Sequence, residues 1–167
     1  MAYANSFLSI EVPEGWKTKE SEMSFPEGSF PAVKIAAPED PFLIGIKGNS
    51  IGESFSVTPE VIVIKGPELE KPLLEFSREV TKSLRNPPAS KVLKFEEGEF
   101  SGAQAYEITA KFSFAEQGIP KPVEIRRLII HTLHKGRLFV ITYTAHETQF
   151  LRNLKPAIAA IKSISLK

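Results

Sequence analysis

Val123-Glu124-Ile125-Arg126-Arg127-Leu128-Ile129-Ile130-His131-Thr132-Leu133-His134, then Lys135-Gly136, then Arg137-Leu138-Phe139-Val140-Ile141-Thr142-Tyr143-Thr144-Ala145, is the stretch whose reading decides the fold. Two runs rich in β-branched and aromatic residues flank a basic residue and a glycine, the pattern of a hairpin closed by two residues. A two-residue loop dictates the register. His134 falls opposite Arg137, Thr132 opposite Phe139, Ile130 opposite Ile141 and Leu128 opposite Tyr143. The other face then carries Leu133 with Leu138, His131 with Val140, and Ile129 with Thr142. Both faces are largely apolar, so both need cover, which one helix on each side of the sheet would supply.

Upstream, Ala103–Phe114 sets Tyr106, Ile108, Ala110, Phe112 and Phe114 in strict alternation with Glu107, Thr109, Lys111 and Ser113. That is a strand with one buried and one wet face. Gln117-Gly118-Ile119-Pro120 turns it into the hairpin, and Ser101-Gly102 joins it to a preceding strand, Val92–Glu97. Before these, Leu69, Leu73, Phe76, Val80 and Leu84 form one apolar stripe and predict a helix over Pro72–Arg85, ended by Asn86-Pro87-Pro88. After the hairpin, Phe150, Leu154, Ile158, Ile161 and Ile164 predict a second helix over Glu147–Ser163, kinked or broken at Pro156.

The N-terminal third is less regular. Phe7–Val12 reads as a strand stopped by Pro13-Glu14-Gly15, with Trp16 expected to be largely buried beside it. Four prolines and Gly28 interrupt Met23–Pro41, leaving only Ala32–Ala37 extended. Phe42–Lys47 and Val61–Lys65 are short strands, with Gly48–Pro59 a long loop or an irregular hairpin between them. The expected fold class is α+β: an antiparallel β-sheet sandwiched between helices, an α-β-α sandwich, in a single domain over residues 1–167.

The totals agree. The chain has 167 residues, 42% hydrophobic and 25% charged, ordinary for one globular domain and unlike a disordered chain. It has no cysteine, which excludes disulfides, thiolate nucleophiles and zinc–sulfur or iron–sulfur sites. No apolar run approaches the roughly 20 residues that cross a bilayer. Met1–Asn5 lacks the apolar region of a signal peptide, although Ala2-Tyr3-Ala4 resembles the small-x-small end of a cleaved one.

The opening Phe7-Leu8-Ser9-Ile10-Glu11-Val12-Pro13-Glu14-Gly15-Trp16 is similar to the start of the PsbP-like superfamily, the group of PsbP, the DcrB- and LpqN-like envelope proteins and the Ran-binding Mog proteins. Gly102-Ala103-Gln104-Ala105-Tyr106 resembles that group's glycine-to-tyrosine strand start. Lys135-Gly136-Arg137-Leu138-Phe139-Val140-Ile141 with Ala145 resembles its late hairpin, and Ile161-Lys162-Ser163-Ile164 its closing helix and strand. The resemblance spans nearly the whole chain and rests on the order of loose motifs. It implies an antiparallel sheet between helices and a binding or assembly protein without enzymatic activity. An extracytoplasmic location (periplasm, envelope or thylakoid lumen) is favoured over a cytoplasmic one.

Few residues offer chemistry. His131 and His134 are three apart on a strand and face opposite sides, so they share no ion without a bulge, and neither they nor His146 is expected to bind metal. There is no G-x-S-x-G elbow, and Glu96-Glu97 is splayed across a strand. Gly45-Ile46-Lys47-Gly48 and Gly98–Gly102 are too sparse for a nucleotide fingerprint. The expectation is a non-enzyme with no cofactor.

Charge is the stronger signal. The net charge of +1 hides nine Lys/Arg against two Glu from Gly118 onward, a net +7, and 12 basic against 18 acidic residues before it, a net −6. Candidate partner-binding residues are Arg126 on the strand, Lys135 and Arg137 at the hairpin tip, and Arg152 and Lys155 three apart on the last helix. Nucleic acid is not expected, since its readers add exposed aromatics or a much higher charge. The expected partner is a protein or an anionic membrane surface. An ordinary solvated surface explains the same residues equally well. The alternative function is an envelope protein that carries a small apolar ligand between the sheet and a helix.

Overall fold

The computed structural model describes residues 1–38, 42–44, 55–85, 90–114 and 123–167. Along them run β1 (Ala2–Ala4), β2 (Leu8–Glu11), β3 (Lys17–Phe25), β4 (Gly28–Ala36), β5 (Phe42–Ile44), β6 (Phe55–Val57), β7 (Glu60–Glu68), α1 (Leu73–Arg85), β8 (Ser90–Phe100), β9 (Ala103–Phe114), β10 (Val123–His134), β11 (Arg137–His146), α2 (Glu147–Lys162) and β12 (Ser165–Leu166). Seven strands make one antiparallel sheet in the order β3-β4-β7-β11-β10-β9-β8; β1-β2-β12 and β5-β6 form two small ones. The chain is α+β, mostly antiparallel sheet with two helices.

The β10–β11 hairpin has the register its two-residue loop dictates, from His134–Arg137 through Ile130–Ile141 to Leu128–Tyr143. Lys135 and Gly136 both take positive φ, 52° and 78°, the turn whose twist matches that of the flanking strands. Ser101 and Gly102 close β8–β9 in the same way, at 50° and 79°. Along β9, Tyr106, Ile108 and Ala110 are buried while Glu107, Thr109 and Lys111 are not, as the alternation requires.

Two proline-bearing segments are more regular than their sequences suggest. The described part of Met23–Pro41, up to Pro38, does not break into a single short strand: β3 and β4 pair continuously from Lys17–Ala36 to Phe25–Gly28. Pro31 lies just beyond Ala32–Ile64, the last β4–β7 pair, so one side of β4 is open there and a missing N–H can be spared. In β7, Lys65 faces Phe139 and Glu68 faces Arg137. Two residues, Gly66 and Pro67, therefore oppose Leu138 alone, a bulge that accommodates the proline. The backbone there is so close that a Cβ on Gly66 would lie 2.9 Å from the Leu138 carbonyl oxygen. Of the expected Phe42–Lys47 strand, Phe42–Ile44 pairs with Phe55–Val57. Residues 45–54, the proline stop after α1 and the Gln117–Pro120 turn lie outside the described residues.

The helices sit where the stripes place them, with corrections to what they bury. In α1 the fully buried line is Leu73, Ser77 and Thr81, while Phe76, Val80 and Leu84 flank it half-buried. Leu73 joins Tyr106 and Leu138 in one apolar cluster. In α2 the buried residues are Gln149, Phe150, Ala157, Ala160 and Ile161. Its apolar ones pack with Leu128, Ile130, Phe139, Ile141 and Tyr143 in the main core. The alanines let the helix axis approach the sheet, so Leu154 and Ile158 stay at the margin. α2 continues through Pro156, so of the kink or break expected there the break does not occur; packed residues on both sides hold the helix to the sheet. Trp16 is half-buried against the main core and not fully enclosed.

Candidate functional site

The cations singled out in the sequence do not form one patch. Arg126 and Lys135 are nine residues apart along β10, roughly 30 Å at the rise of an extended strand. Arg126 belongs to the fold. Its Nε donates to Glu147 Oε2 at 3.0 Å and a terminal nitrogen reaches Oε1. Its guanidinium also lies over the Phe150 ring, 5.4 Å from the centroid, so it ties β10 to the first turn of α2. Arg137 is half-buried, and its Nη1 donates to the Gly66 carbonyl at 3.3 Å, beside the β7 bulge.

Lys135, Arg152 and Lys155 are different. All three are exposed, and none makes an ion pair among the described residues. Arg152 and Lys155 share the outward side of α2 with Leu151, a large apolar side chain left 70% exposed. Positions 151 and 155 are one helical turn apart, so leucine and lysine are neighbours on that surface.

A second cationic surface escaped the sequence reading. Arg78, Lys82 and Arg85 stand at i, i+4 and i+7 on the exposed side of α1, spanning about 10 Å of axis. With Thr81 and Phe95 they line a cleft of about 440 Å³ between α1 and the edge strand β8. Phe95 is stacked on Tyr106, ring centroids 5.9 Å apart, and makes the wall apolar. None of the three cations is in an ion pair among the described residues; the neighbouring Glu79 is held by Lys71 at 2.7 Å. These residues fall in the acidic part of the sequence, interleaved with Glu75 and Glu79, and net charge concealed them. The visible signal was the polar side of the helix, where the 4–3 spacing of basic residues repeats the spacing of the apolar stripe.

Between α1 and the sheet, Ser77 Oγ and His131 Nδ1 share a hydrogen bond of 2.9 Å, with the Phe76 ring edge-on to the imidazole at 5.1 Å. Burial pushes the His131 imidazole down to about 4, so it is neutral at pH 7. A serine touching a neutral histidine resembles half of a nucleophilic pair, but Ser77 is 0% and His131 2% exposed. The contact is enclosed and joins α1 to β10. Tyr143, whose burial raises its phenol well above the ordinary range, donates to the Phe150 carbonyl at 2.7 Å. His134 packs edge-on against Phe139, while His131 packs on α1, so the two imidazoles lie apart as strand alternation requires.

No protein-family model matches the chain, and no curated protein matches it in sequence. Solved structures do match in fold. LpqN, involved in cell envelope biogenesis of Mycobacterium tuberculosis, aligns over 96% of this chain and 83% of its own with a TM-score of 0.54 and 13% identity. Cyanobacterial PsbP (CyanoP) from Synechocystis sp. PCC 6803 aligns over 100% of this chain and 92% of its own, at 0.51 and 11%. The chain has the PsbP-like fold. A third structure, the protein of unknown function and putative regulator PA94 from Pseudomonas aeruginosa, covers 86% of this chain and 94% of its own at 0.52 and 10%. Identities this low carry the fold and no residue role. Among the described residues, no helix of this PsbP-like chain is long and apolar enough to cross a membrane.

Proposed function

We propose that this chain is a non-enzymatic binding module of PsbP-like fold that docks on an acidic protein surface through the outer side of α2 and the β10–β11 turn. The observation that carries the reading is Leu151, exposed beside Arg152 and Lys155, cations that make no ion pair among the described residues. An apolar anchor with a charged surround is the composition of a docking surface, the leucine contributing contact and the cations orientation and association rate. Lys135, exposed at the far hairpin tip, is a second and separate contact point on the same partner. Arg126 and Arg137 act through it only by holding α2 and β11 in place. The reading also takes residues 1–167 as one domain, with α1 and α2 on opposite faces of the large sheet. Successive residues support this: His131 meets α1, while Ile130 belongs to the core that α2 closes. An extracytoplasmic setting is part of it, prompted by the envelope role of LpqN.

The test places a photo-crosslinking amino acid at position 151 and, as a control, at Glu22 on the edge strand β3, in cells of the source organism. A discrete protein adduct at 151, absent at 22 and lost when Arg152→Glu and Lys155→Glu are added, is the expected result. Equal adducts at both positions, or adducts indifferent to the charge reversal, overturn the reading. So does co-sedimentation with phosphatidylglycerol vesicles in the absence of a protein adduct, which would make the surface a membrane contact.

A further inference from the structure

The cleft between α1 and β8 has a composition that a solvated surface does not require. Arg78 and Lys82 are like charges one helical turn apart, an arrangement that opposes helix formation, and Arg85 adds a third on the same side. Each could be relieved by a carboxylate within reach, yet none is paired among the described residues, and the nearby Glu79 is turned to Lys71. Beside the cations, Phe95 gives the cleft an apolar wall, and Thr81 completes its lining. The Thr81 hydroxyl donates to the Ser77 carbonyl at 2.8 Å, so its proton is already committed within the helix. The volume of about 440 Å³ lies in the range of small-molecule sites, about 300–1,000 Å³.

We infer that this cleft binds a single amphiphilic anion, its phosphate or carboxylate head held by Arg78, Lys82 and Arg85 and its apolar body laid against Phe95. Arginine's planar fork suits both kinds of head, and lysine adds a point charge between the two forks. An inorganic anion satisfies the cations and leaves Phe95 unused; a neutral amphiphile does the reverse. The site shares no residue with the α2 surface, so the two readings stand or fall separately.

Dodecyl phosphate below its micellar concentration is the probe, followed by amide chemical shifts of the full chain. Saturable shifts confined to Arg78–Arg85 and the neighbouring part of β8 are expected. Inorganic phosphate and dodecyl maltoside should each bind about tenfold more weakly or worse. Replacing the three exposed cations together, Arg78→Gln with Lys82→Gln and Arg85→Gln, should weaken dodecyl phosphate at least about tenfold with the melting temperature unchanged. Phe95→Ala should weaken dodecyl phosphate and leave inorganic phosphate as it was. Unchanged affinity in the triple variant, shifts elsewhere in the chain, or equal binding of inorganic phosphate overturns the inference. Sedimentation with phosphatidylglycerol vesicles without a saturable response to the monomeric probe also overturns it, because the cleft would then meet a membrane surface.

Discussion

Lowering the pH from 7 to 4 should destabilise this protein, chiefly through one residue. His131 is 2% exposed, and burial holds its imidazole at about 4 against an ordinary 6.5. The folded chain keeps it neutral while the unfolded chain protonates it below 6.5, so the unfolded state binds more protons in that window. Stability is therefore fully present above 6.5 and is lost as pH falls towards 4. The linkage relation gives a loss of about 1.4 kcal/mol by pH 5.5 and about 3 kcal/mol by pH 4. His146, lowered chiefly by burial, adds to the same direction. Urea unfolding at pH 7, 5.5 and 4 measures the loss in the wild type. The control replaces both partners of the buried bond, Ser77→Ala with His131→Leu, since removing one would strand the other. In that double variant most of the pH dependence should disappear. If wild type and double variant lose equal stability between pH 7 and 4, the acid sensitivity lies in other groups and the account of His131 is wrong.

Tyr143→Phe removes a hydroxyl bonded to the Phe150 carbonyl in a fully buried setting and should cost about 1–2 kcal/mol in urea unfolding. Gly66→Ala sets a methyl 2.9 Å from the Leu138 carbonyl oxygen. It should cost about 1–3 kcal/mol, whereas Gly98→Ala, which meets nothing within 4 Å, should be close to neutral by the same assay.

The hairpin was readable from end to end because two residues between two apolar runs leave one register, and period-two alternation leaves one choice of face. β9 was readable for the same reason, charges alternating with aromatics without interruption. Pro31 misled because its cost depends on whether a neighbour lies alongside, which local sequence does not contain. Pro156 ends no helix for a similar reason: tertiary packing on both sides of it outweighs one missing helical bond. In α1 the apolar stripe located the helix but not its innermost line, since Ser77 and Thr81 are buried only by virtue of bonds to His131 and to the backbone. The candidate site suffered most. Chain-segment charge sums put Arg126 and Lys135 together although the strand separates them, and cancelled the three cations of α1 against the glutamates of their own helix.

The β7–β11 pairing, described above for its bulge, also determines how the chain must assemble. Strands β8 to β11 succeed one another through connections of two to eight residues, so their ladders close small loops. β7 meets β11 across 69 residues at Glu68–Arg137 and 84 at Glu60–Thr144, and β3 and β4 reach the rest of the sheet only through β7. Closing a loop of that length costs about 2 kcal/mol more than closing one of about ten residues, before any contact repays it. The seam is thus the slow, non-local step, and a methyl at Gly66 obstructs the junction on which the two halves of the sheet depend.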